Sequence, residues 1–182
     1  MNASPHAVAA FVVRELVERD LAAYKALRDD ALARHDDAFT SDAATEALRS
    51  AESYRSRLGI APDDAAGGFT LGAFDDGDRL VGALTIERER RRKIRHVGHL
   101  VGMMVATERQ RSGIGRALLE AAIARARENG ELHQITLSVT SSNPSAVRLY
   151  ERAGFVRYGR LPRAIRIGER FLDKDLMVLA LR

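Results

Sequence analysis

An apolar segment with two glycines, followed by a Gly-x-Gly turn and a long amphipathic segment, most constrains the fold of this chain. His96–Ala106 is rich in Val, Leu and Met and contains Gly98 and Gly102. Glycine inside a strand often marks a bulge or the close approach of a ligand. Apolar residues then recur at helical spacing over Gly113–Asn129. This order predicts a strand that turns directly into a helix.

The remaining patterns predict a mixed α/β sheet protein. Alternating apolar segments and the acidic glycine turn Asp75–Asp78 favour strands and one β-hairpin. Strands are predicted at Phe11–Val17, Phe69–Phe74, Leu80–Glu87, His96–Ala106, Ile135–Val139, Phe155–Tyr158 and Phe171–Leu179. Helices are predicted at Leu21–Arg34, Asp42–Leu58, Gly113–Asn129 and Pro144–Ala153, with Asp20 and Asn143 as caps of the first and last.

The size and residue content of the chain exclude several classes of protein. A length of 182 residues without repeats or linkers suits one domain, residues 1–182. No apolar run approaches the ~20 residues of a membrane span, and residues 1–10 lack a leader pattern. We therefore expect a soluble cytoplasmic protein with no membrane partner. With 0 Cys and dispersed histidines, we expect no metal site, and a cysteine nucleophile is excluded.

The charge is distributed unevenly along the chain. Residues 1–87 hold 9 Lys and Arg against 16 Asp and Glu, whereas residues 88–182 hold 20 against 9. Nucleic acid, a membrane surface and a polyanionic cofactor all fit a basic half of this kind. Because the sequence lacks a helix-turn-helix pattern, stacking aromatic strands and zinc spacing, we expect no nucleic-acid partner.

The turn Gln110–Arg116 is a candidate anion site. Glycines at positions 113 and 115 let the free N–H groups of the first helical turn approach a phosphate closely. A dinucleotide fingerprint needs a third small residue where Leu118 stands, and a P-loop needs G-K-[ST] where Gly115-Arg116-Ala117 stands. An isolated Gly-x-Gly is equally compatible with a flexible turn.

A second motif lies in Asn143–Phe155, one helix and one strand later. Together the two motifs resemble the GCN5-related N-acetyltransferase (GNAT) superfamily. Its acyl-CoA motif, Q/R-x-x-G-x-G/A, is followed by N-x-x-A-x-x-x-Y-x-x-x-G-F, and both are present in full and in order. The resemblance covers about residues 98–158. It implies an α+β fold with a mixed, mostly antiparallel central sheet flanked by about four helices, and a splayed strand pair that holds acyl-CoA.

The resemblance also implies the residues that bind acetyl-CoA as cosubstrate. Main-chain groups after the strand glycines would pair with the pantetheine amides like an added strand. The Gly-x-Gly turn would hold the pyrophosphate by its N–H groups and the helix dipole. The implied binding residues are Met103, Met104, Val105, Gln110, Arg111, Ser112, Gly113, Ile114, Gly115, Arg116, Asn143, Ala146 and Tyr150.

Two catalytic roles follow from the same resemblance. Tyr150 matches the general acid of the family, which protonates the leaving thiolate, although a core aromatic would also suit its position. The general base is open, because no acidic residue lies between Arg95 and Glu108. His99 lies close to the expected bulge and is the first candidate, Glu87 is the second, and a bound water is the third.

We therefore expect an enzyme that transfers an acetyl group from acetyl-CoA directly to a primary amine in a ternary complex. A non-catalytic acyl-CoA sensor and, more remotely, a nucleic-acid-binding protein are the alternatives. The acceptor, a small molecule or a peptide, is not identified, but segments Ala31–Arg57 and Gly159–Arg170 are expected to surround it. An apolar edge left by the final strand, Phe171–Leu179, and its neighbour favours a homodimer.

Overall fold

Seven strands form one continuous sheet in the computed structural model, which describes residues 10–60, 68–128 and 130–182. The strands are β1 (Phe11–Glu15), β2 (Phe69–Asp75), β3 (Leu80–Arg88), β4 (Val97–Val105), β5 (Gln134–Thr140), β6 (Val156–Ile167) and β7 (Arg170–Ala180). The α-helices are α1 (Leu21–Arg34), α2 (Ala43–Ala47), α3 (Ile114–Glu128) and α4 (Pro144–Arg152). Residues 1–9, which were examined for a leader pattern, and Asn129, the predicted end of a helix, lie outside the described residues.

The sheet is mixed and mostly antiparallel, as predicted. Its strand order is β1-β2-β3-β4-β5-β7-β6. Only β4 and β5 pair in parallel, while every other neighbouring pair in the sheet is antiparallel. The α+β architecture with four α-helices is therefore confirmed, and its one parallel pair lies at the centre of the sheet.

Two buried clusters hold the helices against the sheet. The apolar stripe of α3, including Leu118 and Ala122, packs against β1, β2, β3 and β4. The second cluster joins α1 to the segment around Tyr54 and Leu58 and to the start of β3. No α-helix in the described ranges is long and apolar enough to cross a membrane.

The predicted helix over residues 42–58 is broken in the structure. Asp42 caps α2 by accepting the Thr45 N–H at 2.8 Å, but α2 ends at Ala47 and a separate 3₁₀ turn covers Ala51–Tyr54. The segment bends around Arg28, a buried residue of α1 whose Nε donates to Glu46 at 2.8 Å. Local spacing could not reveal this bend, because its cause is a contact with another helix.

Two further predictions fail in detail. The Asp20 carboxylate does not cap α1, because it accepts bonds from Arg14 and from the Val17 N–H. Residues 159–167, expected as an acceptor loop, continue β6. The outer strand on this side of the sheet is β6, the neighbour of the final strand, β7.

The buried carboxylate of Glu46 makes the stability of the fold depend on pH. Burial by itself favours the neutral acid, but hydrogen bonds from Tyr54 and Arg28 outweigh it and lower the pKa of Glu46 from 4.5 to about 2. A lowered pKa contributes stability that is present above about pH 4.5 and is lost as pH falls toward about 2. We expect Glu46→Gln to lower the free energy of unfolding by about 3 kcal/mol at neutral pH.

Urea denaturation at about pH 7 and at about pH 3 measures this contribution. The variant should lose less stability than the parent protein on acidification, because it lacks the titrating group. Glu52→Gln, on the exposed surface of the same segment, is the control and should behave like the parent. An equal acid response in Glu46→Gln and the parent would contradict the assignment.

Candidate functional site

The two central parallel strands separate and form a fork. They pair only through Val97–Gln134, Gly98–Ile135 and His99–Thr136, and then diverge. On its other side, β4 contains a bulge, because the register with β3 shifts between Ala83 and Thr85. Gly102 lies in this bulge with φ +58°, a backbone conformation that favours glycine. The splayed pair expected from the sequence is therefore present, and it leaves the main chain of β4 open toward β5.

An inner cavity of about 300 Å³ lies in the fork. It is enclosed by the bulge of β4, the ends of β5 and β7, the helix α1 and residues 38–41. Its polar lining includes Arg28, Arg57, Thr40, Ser41, Ser138, Thr140 and Lys174. Burial lowers the pKa of Lys174, whose Nζ donates to the Thr40 hydroxyl at 2.5 Å.

An outer cavity of about 380 Å³ continues from the fork to the Gly-x-Gly turn. It follows β4 through Val105 and passes between residues 109–115 and α4. The two cavities share Ala38, Phe39, Met103, Asn143, Ala146 and Tyr150. A molecule that lies along the outer cavity would thus have one end at the Met103 and Tyr150 junction, facing the inner cavity.

The Gly-x-Gly turn is built to expose main-chain N–H groups. Gly113 has φ +86°. Its carbonyl accepts the Ala117 N–H at 3.0 Å, so Gly113 is the N-cap residue that precedes α3. The N–H groups of residues 114–116 therefore have no acceptor within the helix. Together with the positive end of the helix dipole, these N–H groups are suited to bind an anion beside the outer cavity, which Gly115 lines.

Arg109 was missed by the sequence analysis. It lines the outer cavity, and its Nε and Nη2 atoms are buried without a hydrogen-bond partner in the described part of the chain. Buried guanidinium donors normally have acceptors, so these two donors are suited to an anionic group in the cavity. The signal available in the sequence was a basic residue immediately before Gln110, which the family motif does not include.

Nine of the thirteen implied cofactor-binding residues line the outer cavity. They are Met103, Met104, Val105, Gln110, Arg111, Gly115, Asn143, Ala146 and Tyr150. Ser112, Gly113, Ile114 and Arg116 do not line it. The Ile114 side chain is in the core, and the Arg116 guanidinium pairs with Glu120 at 2.7 Å. These four can reach a ligand in the turn through their main-chain groups.

Tyr150 lies at the junction of the two cavities. Asn143 starts its helix, α4, by accepting the Ala146 N–H at 3.1 Å. The Tyr150 ring packs edge-on against Phe155, and its hydroxyl donates to the sulfur of Met103 at 3.3 Å. Burial raises the pKa of Tyr150 well above its ordinary value, so the hydroxyl keeps its proton at neutral pH. The residue is thus both a packed aromatic and a protonated donor that faces the fork.

The two candidate bases lie outside both cavities. His99 closes the paired part of the fork, with Nδ1 2.7 Å from the Thr136 hydroxyl and Nε2 3.2 Å from Glu89. The next residue on the same side of β4, Val101, lines the inner cavity. Glu87 is paired with Arg57 at 3.2 Å. In the described ranges, no group of three or more His, Asp or Glu side chains could hold a metal ion.

Comparisons with known proteins agree with this geometry. The chain matches the Acetyltransferase (GNAT) family over residues 24–155. It is 34% identical to human N-alpha-acetyltransferase 30 over 85 residues, which is 47% of this chain and 23% of that protein. The chain therefore spans about a quarter of the length of this curated relative.

Two solved structures are similar over almost the whole chain. The acetyltransferase of the GNAT family from Streptococcus pneumoniae has a TM-score of 0.82 and 28% identity, covering 94% of this chain and 99% of that one. The structure of yncA from Salmonella typhimurium with its cofactor acetyl-CoA has a TM-score of 0.76 and 22% identity, covering 96% and 95%. The second likeness shows the fold alone. Because the family match covers most of the sequence and the fold agrees throughout the sheet, the chain belongs to the Acetyltransferase (GNAT) family.

Proposed function

We propose that residues 1–182 form a single N-acetyltransferase domain that transfers an acetyl group from acetyl-CoA to a primary amine. The observation that carries this proposal is the fork, which joins an anion-binding turn to a second cavity through the Tyr150 junction. One cavity suits the cosubstrate and the other suits the acceptor, so both can be bound at once. With 0 Cys in the chain, direct attack within this ternary complex replaces a cysteine acyl-enzyme.

The outer cavity is proposed to bind acetyl-CoA. The open main chain of Met103–Val105 pairs with the amides of the pantetheine arm as an extra strand would. The turn that begins α3 and the unpartnered donors of Arg109 hold the pyrophosphate. When bound, acetyl-CoA supplies a thioester whose carbonyl carbon is activated for attack by an amine.

Tyr150 is proposed to act as the general acid. Its hydroxyl is protonated and lies at the junction where the thioester end of the cosubstrate would lie. As the carbon–sulfur bond breaks, Tyr150 donates its proton to the departing sulfur. The hydrogen bond from its hydroxyl to the sulfur of Met103 supports this role, because it places a sulfur atom within reach of the donor.

His99 is proposed to take the proton of the amine through a water molecule. His99 is not expected to contact the amine directly, because it does not line the inner cavity. Its two ring nitrogens lie within hydrogen-bond distance of Thr136 and Glu89. Thr136 lies on the same side of β5 as Ser138, which lines the cavity, so a bridging water would have hydroxyl partners on this side. Glu87, held by Arg57, is a less suitable base for the same reaction.

Release of free thiol from acetyl-CoA in the presence of a panel of primary amines tests the proposal. We expect at least one amine to accelerate release by more than about tenfold over the rate without acceptor. Acetyl-CoA binding without acceleration by any amine would favour the non-catalytic sensor instead.

The homodimer is proposed to form through the outer strand of the sheet. Four large apolar side chains are exposed on the β6–β7 hairpin: Val156, Tyr158, Leu161 and Phe171. An edge strand with exposed apolar residues is a surface for association. Light scattering should give twice the mass of one chain at micromolar concentration, and Val156→Lys should halve that mass. A parent protein that is monomeric would contradict this assembly.

The cytoplasm stays the predicted location.

A further inference from the structure

The charged residues around the inner cavity are all basic. Arg28, Arg57 and Lys174 line it, whereas no Asp or Glu among the described residues does. An amine acceptor is itself a cation when it arrives, so a basic cavity is unfavourable for an acceptor that carries only amines. The basic lining therefore favours an acceptor that carries a negative charge in addition to its amine.

The acidic partners of these cations lie outside the cavity lining. Glu46 pairs with Nε of Arg28 at 2.8 Å, and Glu87 pairs with Nη2 of Arg57 at 3.2 Å. The contacts of these carboxylates are with Nε of Arg28 and Nη2 of Arg57, and both guanidinium groups also line the inner cavity. Lys174 bonds only hydroxyl groups, those of Thr40 and Ser138, within the described part of the chain.

Three donors converge beside the β4 bulge. A Cβ on residue 102 would lie 3.6 Å from the Tyr24 hydroxyl, 3.8 Å from Nη1 of Arg57 and 3.9 Å from Nη1 of Arg28. Because residue 102 is glycine, this space is not filled by a side chain. Tyr24 has an exposed fraction of 0%, and its hydroxyl has no hydrogen-bond partner in the described ranges.

The Tyr24 hydroxyl does not line the inner cavity, whereas Arg28 and Arg57 do. Two guanidinium groups in one cavity wall match the needs of a carboxylate, which accepts several hydrogen bonds on two oxygens. The size of the cavity, about 300 Å³, is at the small end of ligand pockets. These features describe a site for a small anion-bearing molecule.

We infer that the acceptor is a small primary amine that also carries a carboxylate, an amino-acid-type molecule, and that Arg28 and Arg57 bind its carboxylate. This inference rests on the proposed function. The carboxylate is neutralised at the bulge, which leaves the amine free to face the junction at Tyr150. The same basic lining disfavours polyamines, which have no group for this site.

Thiol release from acetyl-CoA, measured with L-amino acids, their carboxamides, their decarboxylated amines and a polyamine, tests the inference. We expect the best amino acid to exceed its carboxamide in kcat/KM by about tenfold or more, as one or two charged hydrogen bonds allow. Arg57→Gln removes one of the two guanidinium groups and breaks only the partly exposed ion pair with Glu87, so the melting temperature should change little. The acid-to-amide ratio should fall about fivefold or more in this variant.

Arg55→Gln is the matched control, because Arg55 also pairs with a carboxylate, that of Glu18, but lines neither cavity. Its acid-to-amide ratio should equal that of the parent. Carboxamides or polyamines that are turned over as well as amino acids would overturn the inference and leave the proposed function intact, as would an unchanged ratio in Arg57→Gln. Absence of thiol release with every amine, together with no thermal shift on adding acetyl-CoA, would overturn both.

Discussion

Tyr150→Phe should lower kcat by about 10²-fold or more while leaving the affinity for acetyl-CoA nearly unchanged. The variant keeps the ring that packs against Phe155 and loses only the hydroxyl at the cavity junction. Binding of the cosubstrate depends on the β4 main chain and the Gly-x-Gly turn, which the substitution does not touch. Because burial raises the pKa of Tyr150, the donor stays protonated, and the loss should be similar from about pH 6 to about pH 9.

Steady-state thiol release gives kcat, and a thermal shift with acetyl-CoA gives the binding comparison. Tyr158→Phe is the control, because it also removes one tyrosine hydroxyl, but from an exposed residue. If Tyr150 is only a core aromatic, Tyr150→Phe should turn over at nearly the parent rate. That result would assign protonation of the sulfur to water.

Gly113→Glu should eliminate the rise in Tm that acetyl-CoA produces in the parent protein. A carboxylate at the start of α3 places negative charge where the N–H groups of residues 114–116 would bind the pyrophosphate. A Cβ at this position has no neighbour within 4 Å, so the new side chain projects into open space. The expected loss of acetyl-CoA affinity is about 10²-fold or more, since charge repulsion replaces a set of favourable hydrogen bonds.

A matched control separates this loss from backbone strain. Gly168, in the turn between β6 and β7, also has a positive φ, +59° against +86° for Gly113, and also has open space at its Cβ position. Gly168→Glu therefore imposes the same kind of strain far from the turn at α3. It should keep the full acetyl-CoA shift, and a full shift in Gly113→Glu as well would remove the basis for the cosubstrate site.

The sequence determined the elements that depend on local pattern. The period of apolar residues predicted α1 with both ends correct and α3 to within one residue at each end, because a helix is made of contacts three and four residues apart. The bulge was predicted from the glycines of β4, and Gly102 has the left-handed conformation that only glycine adopts readily. The start of α4 at Asn143 and Pro144 was predicted for the same kind of reason.

Only the tertiary structure decided the features that depend on contacts between distant segments. The break between α2 and the 3₁₀ turn results from the buried pair of Arg28 with Glu46, 18 residues apart. The basic, exposed β6 is a strand because β7 supplies its hydrogen bonds, although its side-chain pattern does not alternate clearly. Local hydrophobicity carries no information about either partner.

The candidate site divides in the same way. The cosubstrate side was found in the sequence, since a phosphate turn uses consecutive main-chain groups of one loop. The acceptor side brings Arg28 of α1, Arg57 and Lys174 of β7 together from three segments, and none of these three residues stood out in the sequence. Their convergence depends on how α1 packs across the bulge of β4. A site built from main-chain geometry can thus be predicted locally, whereas a site built from converging side chains exists only once the chain has folded.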